Sequence, residues 1–140
     1  FAYCPMGAIN CKWDEAKPVL NRKIAEYTKA VIDGKPNFHI SLVVDVSPFC
    51  DCYASNDAPI VPNIGMFASF DPVALDKACI DAVNAQQPNK NSRLGDDGHC
   101  CHGKDNLTNN HPQTNWKDAI EYAQKMGLGN SEYNLVKLDK

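Results

Sequence analysis

Val19, Leu20, Ile24, Tyr27 and Val31 recur at three- and four-residue spacing, which predicts a helix over Lys17 to Asp33 with these side chains on one face. Pro18 suits its first turn, and Gly34 followed by Pro36 stops it. The pattern then changes to strict alternation. Phe38, Ile40, Leu42, Val44 and Val46 point one way and His39, Ser41, Val43 and Asp45 the other, which predicts a strand with the first set buried. A loop rich in Pro and Asp runs from Ser47 to Asn63, and a second strand covers Ile64 to Ser69. Asp71 as N-cap and Pro72 at the first helical position open a helix that carries Val73, Leu75, Ala78, Cys79, Ala82 and Val83 to about Ala85.

From Gln86 to Gln113 no periodicity is visible, only Asn, Asp, Gly, His, Lys and Cys. A stretch this long without regular structure is uncommon in a compact domain and implies a function or something that holds it. A helix resumes near Asn115 with Trp116, Ala119, Ile120, Ala123 and Met126, and Gly127 and Gly129 end it. Tyr133 to Leu138 reads as a last strand, with Tyr133, Leu135 and Val136 inward. The order α-β-β-α-α-β predicts a single compact α/β domain: a small mixed sheet covered by helices, plus one long loop containing cysteine and histidine.

The 140 residues, 44% of them apolar, suffice for one hydrophobic core. No apolar run approaches the roughly 20 residues that span a bilayer. A net charge of −3 without a basic cluster argues against a nucleic-acid partner. The chain opens on Phe1 with neither Met nor a signal-peptide pattern, so we expect a fragment or processed product.

Cysteine stands out. The seven are Cys4, Cys11, Cys50, Cys52, Cys79, Cys100 and Cys101, an odd number at uneven spacing. That weakens a secreted disulfide scaffold and favours a reducing cytoplasm. Asn106-Leu107-Thr108 matches a glycosylation acceptor, which means little outside a secretory context.

Phe49-Cys50-Asp51-Cys52, with Asp57 shortly after, follows a strand, where loops commonly position functional groups. Two thiolates one residue apart suit zinc or iron; the plain alternative is a half-buried pair with no ligand. His99-Cys100-Cys101-His102 lies in the aperiodic stretch. Two of these four donors, with Cys50 and Cys52, would complete a four-coordinate site and hold the loop. A disulfide between the loops, or a solvated loop with incidental cysteines, are the competing readings. Cys4-Pro5-Met6-Gly7-Ala8-Ile9 matches the end of the ferredoxin pattern C-x₂-C-x₂-C-x₃-C-P. Asp71 is explained by capping, Asp76 as a solvated acid or a buried one near the cysteine loop, His39 as structural and Cys79 as core.

Three stretches together resemble the domain-of-unknown-function 362 family. The first is Cys4 to Ile9 running into Trp13 and Glu26-Tyr27. The second runs from Asp45-Val46-Ser47-Pro48-Phe49-Cys50-Asp51-Cys52 through Ala58 to Gly65 and on through Ala68 to Ala78. The last is Gly127-Leu128-Gly129 to Tyr133-Asn134-Leu135. Members of that family often carry a ferredoxin-like insert with two cluster motifs. The resemblance implies that residues 1–12 are the tail of such a motif, with Cys4 as its fourth, cofactor-binding cysteine, and that 13–140 form the single α/β domain. It implies an upstream ferredoxin-like module as partner and an iron–sulfur cluster in the full-length protein. The function expected is therefore that of a metal-binding or iron–sulfur protein in electron transfer. A zinc-stapled structural domain and a thiol redox enzyme are the alternatives. C-x-C has poor disulfide geometry, and nothing basic sits beside it to lower a thiol pKa.

Overall fold

The structure, a computed structural model, describes residues 17–50, 53–96 and 105–138. Helix α1 spans Lys17–Ile32 and strands β1 and β2 span His39–Val43 and Gly65–Ser69. Helices α2 to α5 span Pro72–Asn84, Arg93–Asp96, Asn106–Asn110 and Trp116–Lys125. The two strands pair antiparallel, with His39 opposite Ser69 and Val43 opposite Gly65. The small sheet expected under helices is present, and among the described residues it is this two-stranded antiparallel ribbon.

α2 begins where expected. Asp71 accepts hydrogen bonds from the N–H groups of Val73 and Ala74 (both 2.9 Å), and Pro72 occupies the first turn. The helix lies across one face of the ribbon, and that face is the reverse of the expected one. Val43 is buried and His39 and Ser41 half-buried beneath α2, while Ile40, Leu42 and Met66 are 60%, 66% and 68% exposed. Polar residues tolerate the inner face because α2 supplies partners: the Cys79 thiol hydrogen-bonds Ser41, and the charges of Asp76 and His39 interact. The more apolar face of β1, extended by Phe38 and Phe70 in contact (ring centroids 4.9 Å), is open to solvent.

α1 behaves likewise. Leu20, Ile24, Tyr27 and Val31 are exposed, and the face with Asn21, Ala25 and Thr28 turns inward to α5. Asn21 Nδ2 donates to the Asn115 carbonyl (2.8 Å), and the Tyr122 hydroxyl donates to Glu26 (3.0 Å).

Val43, Ile60, Val61, Val83 and Leu94 form the main core, with Val46, Phe67, Cys79 and Leu107 packed against it. Leu94 and Leu107 come from the stretch expected to be aperiodic, which contains α3 and α4. Here side-chain hydrogen bonds do the work of apolar periodicity. Asn106 Nδ2 donates to the carbonyls of Val83 (2.9 Å) and Gln86 (3.0 Å), and Asp105 caps α4. Asn106 is 4% exposed, so the glycosylation triplet is closed off in the folded chain. Residues 133–138 form no strand: Tyr133 is half-buried, its hydroxyl donating to Asp81 (2.9 Å), but Leu135 and Val136 face solvent.

Candidate functional site

The loop after β1 is closed at its base and then folded on itself. Ile60 N–H donates to the Val46 carbonyl (2.8 Å), and Asn63 Oδ1 accepts from Asp45 N–H (2.7 Å). Asp45 takes a positive φ of 48°, which turns the chain out of the strand. Within the loop Asn56 is the organiser. Its Nδ2 donates to the Phe49 carbonyl (3.0 Å) and Ser47 Oγ (3.1 Å), while its Oδ1 accepts from Phe49 N–H (3.2 Å) and Asp57 N–H (3.1 Å). Tyr53 N–H donates to the Cys50 carbonyl (2.9 Å). Asp57 serves the loop backbone, accepting from Ala58 N–H (2.7 Å). Cys50 itself is exposed.

α3 and α4 fasten this loop from outside. The Pro48 carbonyl, fully buried, accepts from Asn110 Nδ2 (2.7 Å) and His111 Nε2 (2.5 Å). A carbonyl only accepts, so His111 carries its proton on Nε2. Phe49 packs against the rings of Tyr53 and His111 at centroid distances of 4.8 and 5.6 Å, with the Arg93 guanidinium 4.6 Å from its centre. Asn89 joins in, donating through Nδ2 to the Pro59 carbonyl (2.7 Å). Asn110 is 6% exposed, yet its Oδ1 accepts nothing from the described residues. The Nδ2 of the same amide bonds Pro48, two residues before Cys50, and the unpartnered Oδ1 suits a hydrogen-bond donor or a cation.

Asp105 anchors α4 at the end opposite this latch. Burial alone would raise its carboxyl, but hydrogen bonds from the Thr108 backbone and hydroxyl and from the Trp116 indole, with the charge of Lys117, outweigh it and hold it below the usual value. The Trp116 Nε1–Asp105 Oδ2 bond is 3.0 Å long.

Of the expected site residues, Cys50 is on the described surface; Cys4, Cys52, His99, Cys100, Cys101 and His102 lie outside the described residues, as does the expected motif tail at 1–12. Among the described residues no group of three or more His, Cys, Asp or Glu could hold a metal ion. Cys50 alone falls short of the three or four protein donors that zinc or a cluster requires. The Cys50 loop meets the helices on either side of residues 97–104, through Pro48 and Phe49 with Arg93, Asn110 and His111, none of which the metal-ligand spacing pointed to. The readable signal was Asp105 three residues before Thr108, a cap that announces α4.

Cys79 sits as expected against the core, and burial raises its thiol, with Asp76 raising it further and the Ser41 hydrogen bond opposing. It stays protonated and unreactive. Asp76 is neither buried nor at the cysteine loop. It opens to solvent at the bottom of a recess whose surrounding protein raises its carboxyl, His39 acting against that.

The fold and site define a single α/β domain that presents a cysteine-bearing loop latched by two short helices. The family model for Domain of unknown function (DUF362) matches residues 4–81, and the chain belongs to that family. No curated protein and no solved structure matches it. No helix among the described residues is long and apolar enough to cross a membrane.

Proposed function

We propose that this is a metal-binding domain with a redox or electron-transfer role, in which Cys50 and Cys52 are thiolate ligands and donors among His99, Cys100, Cys101 and His102 complete the site. The observation that carries the reading is the latch. The elements that hold Pro48 and Phe49 are α3 and α4, and these two helices flank residues 97–104 in sequence. The segment that carries His99 to His102 is therefore bounded in sequence, on both sides, by helices in contact with the loop that bears Cys50. The unpartnered Asn110 Oδ1 beside that loop adds to the case. Thiolates with imidazole suit iron–sulfur clusters or zinc. The electron partner we propose is a ferredoxin-like module, to which Cys4-Pro5 belongs, and the compartment a reducing cytoplasm.

Elemental analysis with a visible spectrum on anaerobically purified protein tests this, alongside the Cys50→Ser/Cys52→Ser double variant. Iron with a brown absorption band, lost in the variant, supports the redox reading. One zinc per chain and no colour assigns the site a structural role instead. Metal content unchanged in the variant, or none at all, sinks the shared site.

A further inference from the structure

α1 turns one face to the rest of the chain and leaves the other open. Ala25 is buried and Asn21 reaches the Asn115 carbonyl, while Leu20, Ile24, Tyr27 and Val31 stand 62%, 57%, 70% and 64% exposed. These four recur at intervals of four, three and four residues, the repeat of a coiled-coil seam rather than the broader stripe of a helix lying on a globular core. They run along roughly 16 Å of helix and, with Lys23, line a shallow groove. A seam of this spacing takes a second helix, whose side chains enter the gaps between its own.

We infer that the occupant is α1 of a second copy of this chain, packed antiparallel with the two-fold axis level with the Ala25–Glu26 peptide. In that register Leu20 lies opposite Val31 of the second copy and Ile24 opposite its Tyr27. Each larger side chain meets a smaller one, and the symmetry makes every contact twice. A parallel pair would set Tyr27 against Tyr27 and Val31 against Val31, crowding one layer and underfilling the next. Charge permits the antiparallel pair too. Lys23, the cation in the groove, comes opposite Ala30 of the second copy, and its stem covers the edge of the seam. With Val19, 41% exposed, the stripe leaves roughly 600 Å² open on each chain, so a pair buries about 1,200 Å², the lower limit of stable interfaces. The contact is therefore reversible. It is independent of the proposed metal site, because no residue of α1 belongs to the Cys50 loop.

The test is sedimentation equilibrium of the 140-residue chain, in a reductant so that disulfides between chains contribute nothing. The mass should rise from one chain to two with concentration and level off there, with a dissociation constant on the order of 10 µM. Ile24→Glu and Tyr27→Lys should each weaken the pairing at least about tenfold. An equimolar mixture of the two variants should recover it, because those positions stand opposite each other only in the antiparallel register. A single-chain mass at every concentration, or a mass that climbs past two chains without a plateau, overturns the proposal. So does a dimer that persists equally in both variants, or a mixture that stays monomeric. Well-dispersed amide spectra establish that both variants are folded.

Discussion

Gly129 lies directly against the carboxylate of Asp71, so close that a Cβ would overlap Oδ1. Asp71 thereby does two jobs. One oxygen caps α2, and the other accepts the Asn130 N–H (2.8 Å), tying the segment after α5 to the start of α2. Gly129→Ala should therefore destabilise by about 1–3 kcal/mol through overpacking. Asp71→Ala should cost about 1–2 kcal/mol as a lost cap. Urea unfolding of both and of the double variant checks the coupling. With the carboxylate gone, the alanine at 129 should cost much less, and strict additivity would contradict the contact.

The Pro48 latch makes a second prediction. Asn110→Ala removes one of two donors to a buried carbonyl and should cost about 1 kcal/mol, the loss being reduced because an unpartnered acceptor leaves with it. Hydrogen exchange should speed at Tyr53 N–H, which is inside the loop, and not at Val73 N–H. Equal acceleration at both sites would make Asn110 a general core residue.

Two carboxylates should give the stability profile opposite slopes. Asp105 is held below its ordinary 3.8, so its contribution is full above that value and is lost as pH falls through the lower folded value. Asp105→Asn should flatten that acid limb. Asp76 is raised above 3.8 by its recess, with His39 of β1 acting against that from across the α2–β1 contact. The folded state holds that proton more tightly, so stability is highest below 3.8 and is lost as pH rises through the folded value. Asp76→Asn should raise the melting temperature at pH 7 and leave it unchanged near pH 3. Thermal melts across pH 2.5–7 decide both.

The open face of the ribbon predicts variants that cost nothing. Ile40, Leu42 and Met66 stand more than half exposed, so replacing each with Thr should change stability by less than about 0.5 kcal/mol. The same triple change should cut the binding of a hydrophobic dye several-fold and lower self-association in light scattering. A marked loss of stability would show that the face is covered in solution.

Local chemistry was readable where a side chain acts on its own neighbourhood. Asp71-Pro72 announced α2, and Asn115 with Gly127 bracketed α5, because caps and stops are fixed within a few residues. Which side of β1 faces inward was not readable, since Val43 and Val44 offer apolar groups to both sides. The choice is made by α2, whose Asp76 and Cys79 meet His39 and Ser41. The same holds for α1, where Ala25, smaller than Leu20 or Ile24, takes the buried position because α5 comes close. α3 and α4 escaped because Asn89, Asn106 and Asn110 hold them through carbonyls 20 to 62 residues away, and amides spaced so far apart leave no period. For the site, the cysteines drew attention by composition, whereas the residues that shape their loop are a proline carbonyl and two ordinary polar side chains.

The pairing of α1 with α5 has a bearing on how the chain reaches its fold. Asn21 and Asn115 are 94 positions apart, so the partner of the first described helix leaves the ribosome long after that helix does. Until then α1 lacks its contacts with α5, and isolated helices of its length are marginal in water. The hairpin and α2 can meet early, through contacts close in sequence, but closure of the α1–α5 layer awaits a long-range encounter. The exposed stripe of Leu20, Ile24, Tyr27 and Val31 is on view throughout that interval, which makes α1 the natural place for a chaperone to hold the nascent chain.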